Sequence, residues 1–298
     1  MPPQHPTHTL GVALALIFAL TATVANAQSY NEALRLEYLR SPVFDADDAV
    51  QGINRGYANI NFATPIRPDK TLFLASYEGR ALSFDFAGER SLPTVYSNRL
   101  GLGAVHLWAD KKWRLLWLAH AKINSDYEDI TFDQDWQFGG TALITLTKSE
   151  NLAFTVGGYY NSEFFGPFFI PILGVSWQPK PRWFVYVLAP QQARVEYALK
   201  PRKLYVGFQA NLFVSSYRLS EAFQNDYIEE RFIDLNLFLD YYLTKNLVLF
   251  VQTGYPARLR YKYFSAADVE LMDDAFPFVN RANLNLKTGI AFQIRQKN

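Results

Sequence analysis

Cysteine is missing from the whole of the 298-residue chain. That excludes a disulfide framework and thiolate chemistry. Histidine is nearly as scarce. Of four residues, His5 and His8 lie in the N-terminal segment, so His106 and His120 are all that the rest of the chain offers. A histidine-rich metal site is excluded with them. Neither sign of charge dominates: 29 Lys and Arg against 28 Asp and Glu leave a net +1. Nothing therefore marks a nucleic-acid partner or a basic membrane-surface patch. Long hydrophobic runs are lacking too. Leu10 to Ala22 is the one notable apolar stretch, and it is shorter than the roughly 20 residues a transmembrane helix needs. What the chain does have is aromatics, 24 Phe, 18 Tyr and 6 Trp, together with a mean hydropathy of −0.09. Strands with one apolar and one wet face combine aromatic richness with near-neutral hydropathy in this way.

The short apolar run reads as a secretory signal. Ala25-Asn26-Ala27 is a small-x-small cleavage site, and cleavage is expected before Gln28. The segment before the run carries no Lys or Arg, so an uncleaved anchor helix is the alternative. The expected organisation is a signal peptide, 1–27, followed by a single domain, 28–298.

From Leu34 onward, period-two alternation recurs. Leu204, Val206, Phe208, Ala210, Leu212 and Val214 oppose Tyr205, Gly207, Gln209, Asn211, Phe213 and Ser215. Ile233, Leu235, Leu237, Leu239 and Tyr241 oppose Phe232, Asp234, Asn236, Phe238 and Asp240. Many runs reach the roughly 9–11 residues that cross a bilayer as a tilted strand. Short turns rich in Lys, Arg and Pro alternate with longer, often acidic connections, such as Ser125 to Gln134 and Ser220 to Glu229. This layout predicts an all-β fold: a transmembrane antiparallel up-and-down β-barrel of about 14 strands. The short runs 183–189 and 193–199 leave 12 open, if that pair bends inward. Trp108 and Trp113, Trp177 and Trp183, and Tyr241 and Tyr242 flank short turns, as an interfacial girdle would. A soluble β-sandwich is the competing fold, but these long strands are too many for one compact core.

The last run, Leu284 to Ile294, places Lys287, Gly289, Phe292 and Ile294 in a spacing that resembles the C-terminal signal read by the barrel-assembly machinery. Such barrels often stop at an aromatic, whereas Arg295-Gln296-Lys297-Asn298 follow here. A second resemblance lies at 168–208. Leu173-Gly174-Val175-Ser176-Trp177, Arg182-Trp183, Pro190 and Arg194-Val195-Glu196-Tyr197 look like a family of outer-membrane β-barrels known by a domain-of-unknown-function label. The resemblance implies an outer-membrane barrel and carries no activity, cofactor or site residue. The expected setting is a Gram-negative outer membrane, with both termini periplasmic as an even strand count suggests, and with membrane lipids, lipopolysaccharide and the assembly machinery as partners.

Chemistry is expected on the polar faces, which line the lumen. Arg194, Glu196, Asp234, Asp240, Arg258, Arg260 and Lys262 are the charged candidates. They form either a selectivity device for a small solute or a brace across a filled barrel. The leading function is a passive channel or transporter, with an interaction barrel acting through its external loops as the alternative. A lipid-acting enzyme comes third. Ser83 and His120 could be its pairing, but no motif supports them. The acidic stretch Asp126, Glu128, Asp129, Asp133 and Asp135 lacks the glycine and spacing of a calcium loop, so a solvated external loop is expected. No cofactor is implied.

Overall fold

Fourteen alternating stretches form fourteen antiparallel strands, each hydrogen-bonded to its neighbours in the chain, and the first and last pair to close the ring. The computed structural model describes residues 30–42, 50–86, 92–267 and 284–295, with side chains throughout these except at 42, 50, 51, 86 and 258–260. The strands are β1 (Tyr30–Pro42), β2 (Val50–Arg67), β3 (Thr71–Phe86), β4 (Val95–Trp108), β5 (Trp113–Ser125), β6 (Trp136–Ser149) and β7 (Leu152–Glu163). They continue as β8 (Gly166–Lys180), β9 (Trp183–Ala189), β10 (Gln192–Lys200), β11 (Leu204–Arg218), β12 (Tyr227–Tyr242), β13 (Leu247–Phe264) and β14 (Asn285–Arg295). Closure runs from Tyr30↔Arg295 to Arg40↔Leu286, with one irregularity after Glu32. Closing the ring removes the unpaired sheet edges that would otherwise invite aggregation. The signal segment, with Ala25, Ala27 and Gln28, lies outside the described residues.

The weak pair of runs belongs to the wall. β9 pairs with β8 through Val175↔Val187 and with β10 through Val195↔Val185, so the count is 14 and not 12. Polarity is inverted relative to a soluble protein. Leu173 and Leu237 are 67% and 63% exposed on the outside, whereas Glu196 and Asp240 are only 1% and 2% exposed within. Soluble domains bury leucine and expose carboxylates, so this arrangement disposes of the sandwich.

Three details depart from the sequence reading. Trp108 and Trp113 stack at 6.4 Å beside their turn, and Trp177, Trp183 and Tyr241 are exposed as a girdle requires. Tyr242 instead turns inward and is buried, because it stands one residue beyond Tyr241 on an alternating strand. Lys262 is not on the inner face. The ladder pairs Arg231 with Arg260 but Ile233 with Ala257, so β13 carries one extra residue. That shift turns Tyr261 inward and Lys262 to the other side, 5.4 Å from the Phe264 ring. The acidic stretch is not simply solvated either. It contains a helical turn, Phe132–Asp135, and it buries both Asp126 and Asp135.

Candidate functional site

The barrel interior is organised in three tiers, set by where charged and apolar residues fall on the inward register. Nearest the short turns of β9–β14 lies a floor. Phe184, Ala198, Tyr205, Tyr242, Val248, Phe250 and Ala291 pack as one buried cluster. Above it, Arg194 binds Asp240 at 2.6 Å, Glu196 at 3.0 Å and the Gln209 carboxamide at 2.8 Å, with its guanidinium 3.6 Å from the Phe238 ring. Glu196 also accepts a two-pronged contact from Arg295, at 2.6 and 3.1 Å. Arg295 donates in addition to the Tyr242 hydroxyl, which donates to Gln293, both at 2.6 Å. Three of the charged candidates, Arg194, Glu196 and Asp240, are thus drawn into one network. Asp234 stands apart, paired with Lys287 and accepting from Asn285 at 2.9 Å. The side chains of Arg258 and Arg260 lie outside the described residues. Of the residues read as an assembly signal, Lys287 faces the lumen, Phe292 is half-buried and Ile294 buried.

The middle tier is a chamber of about 450 Å³. Its cations are Arg35, Arg55, Arg80, Arg99, Lys122 and Lys287, and its carboxylates include Glu37, Glu78, Glu230 and Asp234. Glu78 sits between Arg80 and Arg99, at 3.0 and 2.7 Å. Arg35 meets Glu37 at 2.7 Å, Arg55 meets Glu230 at 2.6 Å and Lys122 meets Glu163 at 2.7 Å. The sequence reading did not single out Arg35, Arg55, Arg80, Arg99 or Lys122. The signal was there: Glu78 and Arg80 alternate with apolar neighbours on β3, and Arg99 falls on the inward register of β4. Toward the short turns below the chamber, Leu116, Leu118, Thr141, Leu143 and Thr155 face inward yet remain half-exposed. The side chains of the described residues therefore do not fill the lumen beside β5–β7.

The upper tier closes the long-loop end. β5 and β11 lie on nearly opposite sides of the ring, yet Arg218 pairs with Ser125 across it. Asn124 donates to the Ser215 hydroxyl and the Ser216 carbonyl, both at 2.9 Å. Glu163 accepts from the Ser216 N–H at 3.0 Å and from its hydroxyl at 2.7 Å. Arg218 then ties two loops together. It donates to both Asp135 oxygens at 2.7 and 3.0 Å, to the Asp129 carbonyl at 2.8 Å and to Asn225 at 2.5 Å. Beneath this seam, Ile53, Leu82, Phe84 and Val95 of β2–β4 pack on Tyr217, Leu219, Ile228, Phe232 and Tyr261 of the far wall.

The pairing of Ser83 with His120 does not form. His120 points inward, stacks on Tyr159 and bonds Asn161 at 2.9 Å over Gly139, where a Cβ would strike both partners. The residue of β3 level with His120 is Ser76, because Gly101 pairs with both. Ser83 lies seven residues further along β3, roughly 23 Å away at strand rise. Among the described residues, no three acidic or histidine side chains gather as ligands for a metal ion.

Comparison with known proteins adds the following. The family described as Domain of unknown function (DUF6268) matches residues 92–293. Among solved structures, the NanC porin is 8% identical, with 87% of this chain and 99% of that one aligned at a TM-score of 0.41. Outer membrane phospholipase A from Escherichia coli is 13% identical over 92% and 98% of the two chains, at a TM-score of 0.40. The KdgM porin in complex with disordered oligogalacturonate is 8% identical over 87% and 98%, at a TM-score of 0.36. No protein of curated function matches in sequence.

Proposed function

The chain belongs to the family described as Domain of unknown function (DUF6268), and since that description names no activity, we propose from the barrel interior that the protein is a gated outer-membrane conduit for a small polar solute. One observation carries this reading. Among the described residues, a chamber of about 450 Å³, walled by ion pairs, has unfilled lumen below it, with a hydrogen-bonded seam and an apolar cluster above. A purely structural barrel has no need of an internal space lined with desolvated charge, which is costly to bury. Fourteen strands also enclose more room than the eight whose side chains fill a barrel completely. In this reading the short turns and the two ends of the chain face the periplasm. The long loops face outward among lipopolysaccharide, and β14 meets the assembly machinery.

The seam favours a second reading, an interaction barrel that works through its outer loops with the lumen permanently shut. Planar-bilayer recording of the refolded protein beside Arg218→Met separates the two. Loss of the charge-assisted contacts to Asp135 should raise the open fraction about tenfold or more. Silence in both proteins, each folded by its heat-modifiable migration, removes the conduit and leaves the loops.

A further inference from the structure

A net charge of +1, which marks no basic membrane-surface patch, averages over two ends that differ. Two long connections, 126–135 and 219–226, contain no Lys or Arg, and they expose Glu128, Asp129, Asp133 and Glu221. The short turns at the opposite end are basic. Lys180 and Arg182 stand at the β8–β9 turn, Lys200, Arg202 and Lys203 at the β10–β11 turn, and Lys245 at the β12–β13 turn. These turns are neighbours on the rim. The Ala198 N–H donates to the Arg182 carbonyl at 2.8 Å, and the Tyr242 N–H donates to the Lys203 carbonyl at 2.9 Å. Lys203 is half-buried and the other five cations are exposed. The stretches 176–186, 198–205 and 243–248, which hold all six, contain no Asp or Glu. The rest of the rim offsets part of its charge: Asp69, Asp110 and Glu150 stand in its turns, and Lys111 meets Asp69 at 2.6 Å.

The basic arc lies at the edge of the lipid-facing band. Trp177, Trp183, Leu199 and Leu243 are exposed and stand within three residues of one of its cations. Lys203 holds its ammonium 4.6 Å from the ring of Tyr241, which is also exposed. Trp and Tyr mark the level where hydrocarbon gives way to headgroups, so these cations stand among phosphates. Like charges crowded on one arc repel each other in water, whereas an anionic membrane surface attracts each Lys and Arg within a Debye length. Arg182 and Arg202 are each able to grip a phosphate through two N–H groups, and a Lys ammonium meets it as a point charge. We infer that this arc binds the phosphates of anionic phospholipids in the leaflet at its end of the barrel. A zwitterionic lipid carries its own ammonium beside each phosphate and gains less from the arc. The inference goes beyond the conduit reading and holds whether or not the barrel conducts.

The test uses the native tryptophans as reporters. The full barrel is refolded into vesicles of one composition, phosphatidylglycerol in phosphatidylcholine. Bromine, as the quencher, is carried either by the first lipid or by an equal amount of the second. Phosphatidylglycerol should quench as though enriched about fivefold beside the barrel, the factor that one cation contributes at an anionic surface. The excess should vanish in about 1 M salt, where screening sets in within about 3 Å. The variant Lys180→Gln/Arg182→Gln/Lys200→Gln/Arg202→Gln should lose most of the excess, while Lys112→Gln/Lys148→Gln on the other arc should keep it. If four substitutions prevent folding, Lys200→Gln/Arg202→Gln makes the same comparison. Equal quenching by the two lipids in the native barrel overturns the inference and leaves the arc to a soluble acidic partner. An excess that survives the substitutions in the arc overturns it as well.

Discussion

Lys287 sits within a spacing that reads as an assembly signal, yet its ammonium is a buried counter-ion for Asp234. Removing one member of such a pair leaves the other charged and desolvated, so Lys287→Met should destabilise the folded barrel by about 3 kcal/mol or more. Among the described residues, Asp234 would keep the Asn285 contact at 2.9 Å alone. The change should appear as a lower urea midpoint in refolding into vesicles. Adding Asp234→Leu should recover much of the loss, because no lone charge then remains. An unchanged midpoint in the single variant would mean that the pair contributes nothing. Arg194, Glu196 and Asp240 were legible as inner-face charges, because the face a strand residue takes follows from counting by two. Their partner Arg295 was not. It lies 99 residues from Glu196 and meets it only because the ring closes.

At the scale of elements, the strand runs were the most legible part of the chain. The sequence places a run at 183–189, and β9 has those limits. The seam between β5, β7 and β11 left no such trace. Its bonds join residues as far apart as Asn124 and Ser216, and no local period records that approach. Ser216 accepts from the Phe164 N–H at 2.9 Å as well as donating to Glu163, so Ser216→Val takes the acceptor from the Phe164 N–H and one contact from Glu163. Limited proteolysis within 126–131 should quicken about fivefold while the barrel itself remains folded, as expected when a local opening becomes easier by about 1 kcal/mol. Equal cleavage rates would show that the seam does not hold that loop.

For the whole molecule, the inversion of polarity is the governing fact. Leucines outside and ion pairs within suit a chain whose surrounding solvent is lipid. Orientation then becomes a question of two ends. Absence of native cysteine makes the measurement clean. With Lys112→Cys in a short turn and Glu128→Cys in a long loop, only the latter should react with a membrane-impermeant maleimide on intact cells. Labelling of Lys112→Cys alone would invert the proposed orientation.

Composition and alternation by themselves determined an all-β chain with two unlike faces, the stretches that become its strands and the candidates for its inner wall. These are local properties, set by the backbone's two-residue period and by what each side chain tolerates as solvent. Only the tertiary structure decided that the ring has 14 strands, that Lys262 and Tyr242 sit on faces the sequence reading did not give them, and that Arg218 reaches across the mouth to Asp135. Each of those depends on closure, on a bulge or on contact between distant walls. Such long-range geometry is settled by the packing of the whole barrel, and no single stretch of sequence encodes it.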